Sequence, residues 1–466
     1  ASQRPTPRTQ SVPTGVPTLC VGTITCSVSI STTYPYLSMR IAVIGGGVVG
    51  AMIAYELSRH DQTQRLRRGE DRTVSLWDEG PSPLVGADRP PATSRPETIP
   101  NDQGPIPRSR ASAAALGVLM AVISQKTKGR SWHLREMSLR RYPALIAELA
   151  DLTGQTVAYN DRGILKRIDD PADRPTWERL ATVRRSQGWP LVILEPEDVA
   201  DRYPQLEPPR TGDRPWFAVY SAQDGQVNPV SLHRALVAGA VQRGVACHWQ
   251  TTIEAVRPGS IGAAPTWEIV TAGQTIVCDR LVIAAGLGSP ALAGSLSIDL
   301  PIQPVLGQAA RLRLAEPLGP IEPVLTANDI HVVPLGRSAS PLPTAPADSI
   351  EPNRATTSPA AGYDYWIGAT VEFPPETAIA DPTKTPDPAW PDPDRWRDVW
   401  AGAIAMCPGL APAQIIEAWS GRRPRPVGRS APVIQALADH PGVWLATGHY
   451  RNGCLLYTSP RPRDRT

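Results

Sequence analysis

From Arg40 to Ile44 the chain carries a short apolar run, then three glycines, then apolar residues at Val49, Met52, Ile53 and Leu57. The first run has the length of a buried strand, and the later spacing puts its apolar side chains on one face of a helix. A polar stretch from Asp61 to Arg72 gives way to Val74 and Leu76, which alternate with polar neighbours and end at Asp78. Strand, glycine turn, helix and second strand, in that order, predict a βαβ unit.

Residues 79 to 110 contain eight prolines between Pro81 and Pro107, which predicts a loop insertion. Helical spacing predicts helices from Ala111 to about Ile123 and from Ser131 to Leu152. GILKRI (Gly163 to Ile168) and PLVIL (Pro190 to Leu194) have strand character and suggest a mixed or antiparallel second region. The segment Gln226 to Val245 predicts an amphipathic helix entered through Asn228 and Pro229, residues suited to a cap and a first turn. Val282, Ile283 and Ala284 form a strand that runs into Gly286 and Gly288. Strands dominate from Leu300 to Ile415, between inserts at about 336 to 361 and 374 to 394. Val443 to Gly453 reads as a strand ending in glycine. The chain thus visits one domain, leaves it and returns.

A length of 466 residues allows two domains with large cores. Hydrophobic content of 41% with 20% charge describes a soluble globular protein, and a net charge of +3 is too small to imply a polyanion partner. Arg65 to Arg68 (RLRR) is followed at once by acids and has no aromatic platform, so nucleic-acid binding is not expected. No run reaches the roughly 20 apolar residues of a membrane span. The six cysteines show neither a CxxC pair nor regular spacing, and the histidines no metal spacing, so no metal is expected and a cytoplasmic setting fits. Residues 1 to 38 are rich in Ser, Thr and Pro, and 454 to 466 break from the preceding pattern. The first is expected to be a non-native or disordered leader, with Met39 as the natural start, and the second a non-native tail.

Gly45, Gly47 and Gly50 give GxGxxG between a strand and a helix. The first permits the tight turn, the second lets a pyrophosphate approach the backbone, and the third lets the helix pack on the sheet. The helix start adds unpaired N–H groups and partial positive charge. Asp78, ending the second strand, can accept hydrogen bonds from a ribose and would repel a 2′-phosphate. These features leave NAD and FAD both open.

The set VIGGGVVG, SAAALGVLM, GQVNP, LVIAAGLGS, WIGAT, WSGRRPRP and ATGHYRNG, spread from Met39 to Gly453, resembles the D-amino-acid oxidase family of FAD-dependent oxidoreductases. Within it the chain is most similar to the glycine oxidases linked to thiamine biosynthesis. The resemblance implies FAD and an α/β fold: a discontinuous Rossmann-like FAD-binding domain plus a mainly antiparallel α+β substrate domain. The expected FAD-binding segments are 39–155, 226–294 and 416–453, and the expected substrate segments 156–225 and 295–415. By the same resemblance, Gly45, Gly47, Val48, Val49, Gly50 and Asp78 would hold the ADP half. Ser112, Ala113 and Gly117 would line the pyrophosphate and flavin, Ala285 and Gly286 would contact the nucleotide, and Asn452 and Gly453 would lie beside the flavin ring.

In the family pattern the arginine of WxGxRP binds the substrate carboxylate, which here is Arg423. Arg422 stands where the family has an apolar residue, so which arginine faces the substrate stays open. Arg451 would add a second positive charge, the alternative being a capping arginine. His331 stands where relatives often carry a tyrosine near the substrate, and His449 is either an acid–base group or a packing residue. The reaction implied is oxidation of glycine or a small amino acid by hydride transfer to flavin N5, with O2 as acceptor and H2O2 as product. A dehydrogenase passing electrons to a quinone or carrier, and a flavin-binding protein without turnover, are the alternatives. Expected partners are an amino-acid or amine substrate and O2, and a homo-oligomer is compatible with the sequence.

Overall fold

The computed structural model describes residues 39–68, 72–84, 110–204, 206, 215–259, 265–319, 322–338, 362–373, 393–429 and 431–452. The expected leader, most of the proline-rich insertion, Gly453 and the tail therefore lie outside the described residues.

The predicted βαβ unit is present: strand Met39–Ile44, helix Val48–Arg68 and strand Arg72–Trp77, with the two strands parallel and Ile44 opposite Trp77. On the other side of Met39–Ile44 lies Arg280–Ile283, also parallel, followed by Val443–Thr447. With Ala246–His248 and Val433–Ala436 at its edges this makes a six-stranded sheet, parallel except for Val433–Ala436. Its central strands are buried, as a sheet covered on both faces requires. Helices Val48–Arg68, Gly129–Thr153 and Pro229–Gln242 contribute Tyr55, Leu149 and Leu236 to one shared core.

An eight-stranded, mostly antiparallel sheet forms the second layer. Its order is Gln414–Pro426, Ile302–Leu314, Gly362–Gly368, Ile330–Ser338, Val324–Ala327, Ile164–Ile168, Phe217–Ser221, Val192–Leu194. One face packs on the shared core through Ile164, Val324, Val333, Trp366 and Trp419. The other packs through Leu165, Leu325, Val332 and Ile367 against helix Pro393–Met406. The period-2 alternation of these strands puts neighbouring residues into two different cores. Gln414–Pro426 belongs to this sheet, although most of its residues were expected in the last FAD-binding segment.

Three expectations are corrected. The helix predicted from Ala111 to about Ile123 is only Ala111–Ala114, after which the chain forms a short strand, Val118–Leu119. Gly117 stands at φ +73°, outside helical geometry, and the amides of Ala121, Val122 and Ile123 bind the buried carboxylate of Asp224 at 2.8, 2.9 and 2.7 Å. Helix Pro229–Gln242 is capped by Asn228 as predicted, but it is buried on nearly all sides rather than amphipathic. Helix Pro393–Met406 was not predicted, although Trp396, Val399, Trp400, Ala403 and Met406 recur at helical spacing. Among the described residues, no helix is long and apolar enough to cross a membrane.

Asp224 closes the turn that follows Val118–Leu119, so Asp224→Ala leaves three buried amides unpaired. The expected loss is on the order of 3 kcal/mol or more of folding stability, read by urea unfolding.

Candidate functional site

The C-terminal ends of the parallel strands meet at one edge, where open α/β sheets place their ligand crevice. Gly45 has φ +105°, and a Cβ there would stand 2.5 Å from the carbonyl of Ala284, so the turn after the first strand needs glycine on both counts. A Cβ on Gly50 would strike the carbonyl of Gly45, which fits the close-packing position of the third glycine. The two strand ends are tied by Ala284 N donating to Ile44 O at 2.7 Å and Gly45 N donating to Trp77 O at 2.8 Å.

A cavity of about 700 Å³ begins on this turn and extends to the eight-stranded sheet. At its first end stand Gly45, Gly47, Val48, Val49 and Asp78. The Asp78 carboxylate accepts from Gly46 N and Gly80 N, both at 2.7 Å, and pairs with Arg110 at 2.6 Å. Ser112 Oγ accepts from Val48 N at 3.0 Å, capping the helix start from a separate segment. Ser112, Gly117, Ala285 and Gly286 line the middle of the cavity. Ala113 is buried and Gly50 packs behind the turn; neither lies in the cavity wall.

At the far end the wall contains His331, Arg422, Arg423, His449, Arg451 and Asp329. Arg423 stands over Gly307, where any Cβ would collide with its guanidinium, and Nη1 donates to Leu306 O at 3.1 Å and Thr370 O at 2.9 Å. Burial and then the neighbouring Arg451 make its positive charge less favourable than usual. Both Arg422 and Arg423 therefore reach the cavity, and Arg423 is the one anchored over Gly307.

Arg451 is paired with Asp329, at 2.8 Å to one carboxylate oxygen and 3.4 Å to the other. Asn328 and Asp329, at φ +46° and +66°, form the two-residue turn of a hairpin between Val324–Ala327 and Ile330–Ser338. Two consecutive positive φ values suit the right-handed strand twist and favour Asn and Asp. Asn452 accepts from Arg135 at 2.7 Å and lies outside the cavity wall. Asp329, whose Asn-Asp setting is a turn signal, and Arg110 and Gly307, whose roles depend on distant partners, are not among the residues expected from the sequence.

Neither is His233. This buried side chain donates from Nε2 to the carbonyl of Gly46 at 2.5 Å, bracing the glycine turn from helix Pro229–Gln242. Burial lowers the pKa of His233 and pushes that of His331 down to about 3, with Arg451 and Lys166 adding to the latter. Burial alone pushes His449 down to about 4. All three rings are neutral at pH 7.

The unfolded chain protonates these histidines near pH 6.5, whereas the folded chain resists protonation until lower pH. Their contribution to stability is therefore fully present above about pH 6.5 and lost as pH falls toward 4. The expected fall attributable to His449 approaches about 1.4 kcal/mol per pH unit. Thermal melts between about pH 7 and 4.5 should be flatter for His449→Gln than for the parent chain.

A family model described as DAO, FAD dependent oxidoreductase, matches residues 101–458. The glycine oxidase of Geobacillus kaustophilus (strain HTA426) is 25% identical over 419 residues, covering 89% of this chain and 89% of that protein. The bifunctional protein ThiO/ThiG of Nostoc sp. (strain PCC 7120 / SAG 25.82 / UTEX 2576) is 28% identical over 425 residues, covering 90% of this chain and 51% of its own length. The crystal structure of the Geobacillus kaustophilus glycine oxidase has the same fold, with a TM-score of 0.67 at 24% identity over 90% of this chain and 92% of that one. With three quarters of its length inside the family model, and with the glycine turn and α/β architecture seen here, the chain belongs to the DAO family of FAD-dependent oxidoreductases.

Proposed function

We propose that this oxidoreductase removes hydride from the α-carbon of glycine or another small amino acid, with O2 as the final acceptor and H2O2 as product. The observation that carries the reading is the approach of Arg423 and Arg451 to one end of a cavity whose other end is the glycine turn and Asp78. The residues present fit FAD: the turn admits close backbone approach, a carboxylate stands at the ribose position, and the cavity is continuous from there to the cationic end. Gly45, Gly47, Val48, Val49, Asp78, Ser112, Gly117, Ala285 and Gly286 would hold the cofactor, with Gly50 setting the helix behind them. In this reading the six-stranded sheet carries FAD and the eight-stranded sheet carries the substrate.

When bound, the flavin supplies the hydride acceptor. Arg423 binds the substrate carboxylate. Its planar guanidinium offers two parallel hydrogen bonds, and the carbonyls of Leu306 and Thr370 fix its direction, so the α-carbon is held in one orientation. Arg451 adds positive potential at the same end, tempered by Asp329. Neutral His331 and His449 shape the site without adding charge that would repel a substrate ammonium. Leu116, Ala369 and Val371 give the cavity an apolar wall that limits water.

Anaerobic mixing of the flavin-loaded protein with glycine, sarcosine and D-alanine should bleach the flavin absorbance with at least one of them. Readmitted O2 should then be consumed with release of H2O2. Recovery of colour only with an added quinone would replace the oxidase assignment by a dehydrogenase. Arg423→Lys keeps the charge but loses the planar pair of donors, and should raise KM about 100-fold in steady-state assays.

A further inference from the structure

Gly46 is not one of the three glycines that the dinucleotide turn requires, yet the structure leaves it no room for a side chain. A Cβ on Gly46 would stand 2.6 and 3.0 Å from Cζ3 and Cη2 of Trp249, and 2.9 Å from Cβ of Asp78. The edge of an indole fills the space that any other residue at this position would need.

Backbone pairing brings Trp249 to this place. Ala246–His248 runs parallel to Arg72–Trp77 as an outer strand of the six-stranded sheet. Beyond the strand ends the two segments stay tied. Asp78 N donates to His248 O at 2.9 Å, Thr251 N to Asp78 O at 3.0 Å, and Gln250 N to Gly80 O at 2.9 Å. Gln250, at φ +54°, makes the bend that these bonds close. The indole is half-buried, and it forms the wall of the main cavity at the end where Asp78 stands, with Thr251, Thr252 and Ile253 beside it.

Asp78 is the carboxylate placed at the ribose in the reading above, and the base of a nucleotide is joined directly to its ribose. Asp78 and Trp249 both come within 3 Å of the same point over Gly46. A base carried by that ribose is therefore within reach of the indole. Purines present a flat π-face that stacks on aromatic rings.

We infer that Trp249 is the platform on which the adenine of FAD stacks, and that it sets a preference of this chain for FAD over FMN. The inference rests on the placement of the ADP half at the glycine turn and Asp78. FMN carries no adenosine and gains nothing from the indole. Gly46 follows from the same arrangement, since it lets the ring sit against the turn that holds the pyrophosphate.

The test uses the flavin-free full chain, titrated with FAD, FMN and ADP. Flavin fluorescence reports FAD and FMN, while ADP is followed by tryptophan fluorescence and by competition with FAD. Trp249→Leu should raise the Kd of FAD and of ADP about tenfold or more and leave that of FMN unchanged. Trp249→Phe keeps an aromatic face and should recover most of the affinity for FAD. ADP has no flavin chromophore, so quenching on its addition reports contact with an indole. The parent should show this quenching and Trp249→Phe should lose it; with 13 tryptophans in the chain, the signal is the difference between the two proteins. Parent affinities for FAD and ADP in Trp249→Leu, an equal loss for FMN, or the same quenching by ADP in parent and Trp249→Phe would overturn the inference and leave the placement of FAD intact. If ADP does not compete with FAD for the parent chain, the placement of the ADP half fails, and the inference with it.

Discussion

The turn from Gly45 to Gly50 can exist only because the backbones of two parallel strand ends lie almost in contact. Ala284 N donates to Ile44 O, and the space where a Cβ of Gly45 would stand is filled by the backbone of Ala284 and Ala285. That contact fixes the register of Met39–Ile44 against Arg280–Ile283 and puts two glycine-bearing turns side by side. Val443–Thr447 then adds to the same sheet, and Thr447 Oγ1 donates to Gly286 O at 3.2 Å. Residues from opposite ends of the sequence thereby reach one crevice, with His449 and Arg451 just beyond the last strand.

The far end of the crevice is governed by a different constraint, the cost of burying positive charge. Arg423, Arg451 and Lys166 lie close enough to influence one another or His331, with Asp329 as their acidic neighbour. Such a group is tolerated when hydrogen bonds to carbonyls or a carboxylate offset desolvation. Arg423 has the carbonyls of Leu306 and Thr370, and Arg451 has Asp329. Excess positive charge at one end of a cavity attracts an anion, which agrees with a carboxylate substrate. Burial keeps the imidazoles of His331 and His449 neutral, with the neighbouring cations adding to the effect at His331, so neither ring adds a fixed charge.

The two sheets divide these tasks. The parallel sheet presents backbone N–H groups and glycine turns, features that suit phosphate and ribose. The antiparallel sheet presents side chains on alternating positions, so one face can hold Arg423 and His331 while the opposite face packs Leu325, Val332 and Ile367 on its own helix.

The βαβ unit was legible in the sequence because every part of it is local: an apolar run, a glycine turn and helical spacing within about forty residues. The capped helix at Asn228 was legible too, and so was the presence of Asp78 and Arg423 at one crevice, the latter through the family pattern. The short helix at Ala111 was misjudged because Gly117 and the carboxylate of Asp224, about a hundred residues further on, decide where that segment stops being helical. Only the tertiary structure brought His233 beneath Gly46, Arg110 onto Asp78 and Asp329 onto Arg451, and only strand pairing set Trp249 over Gly46. Sequence determines hydrogen bonds and periodicity between near neighbours. Partners far apart in the chain are chosen by sheet pairing and burial, which no local pattern encodes.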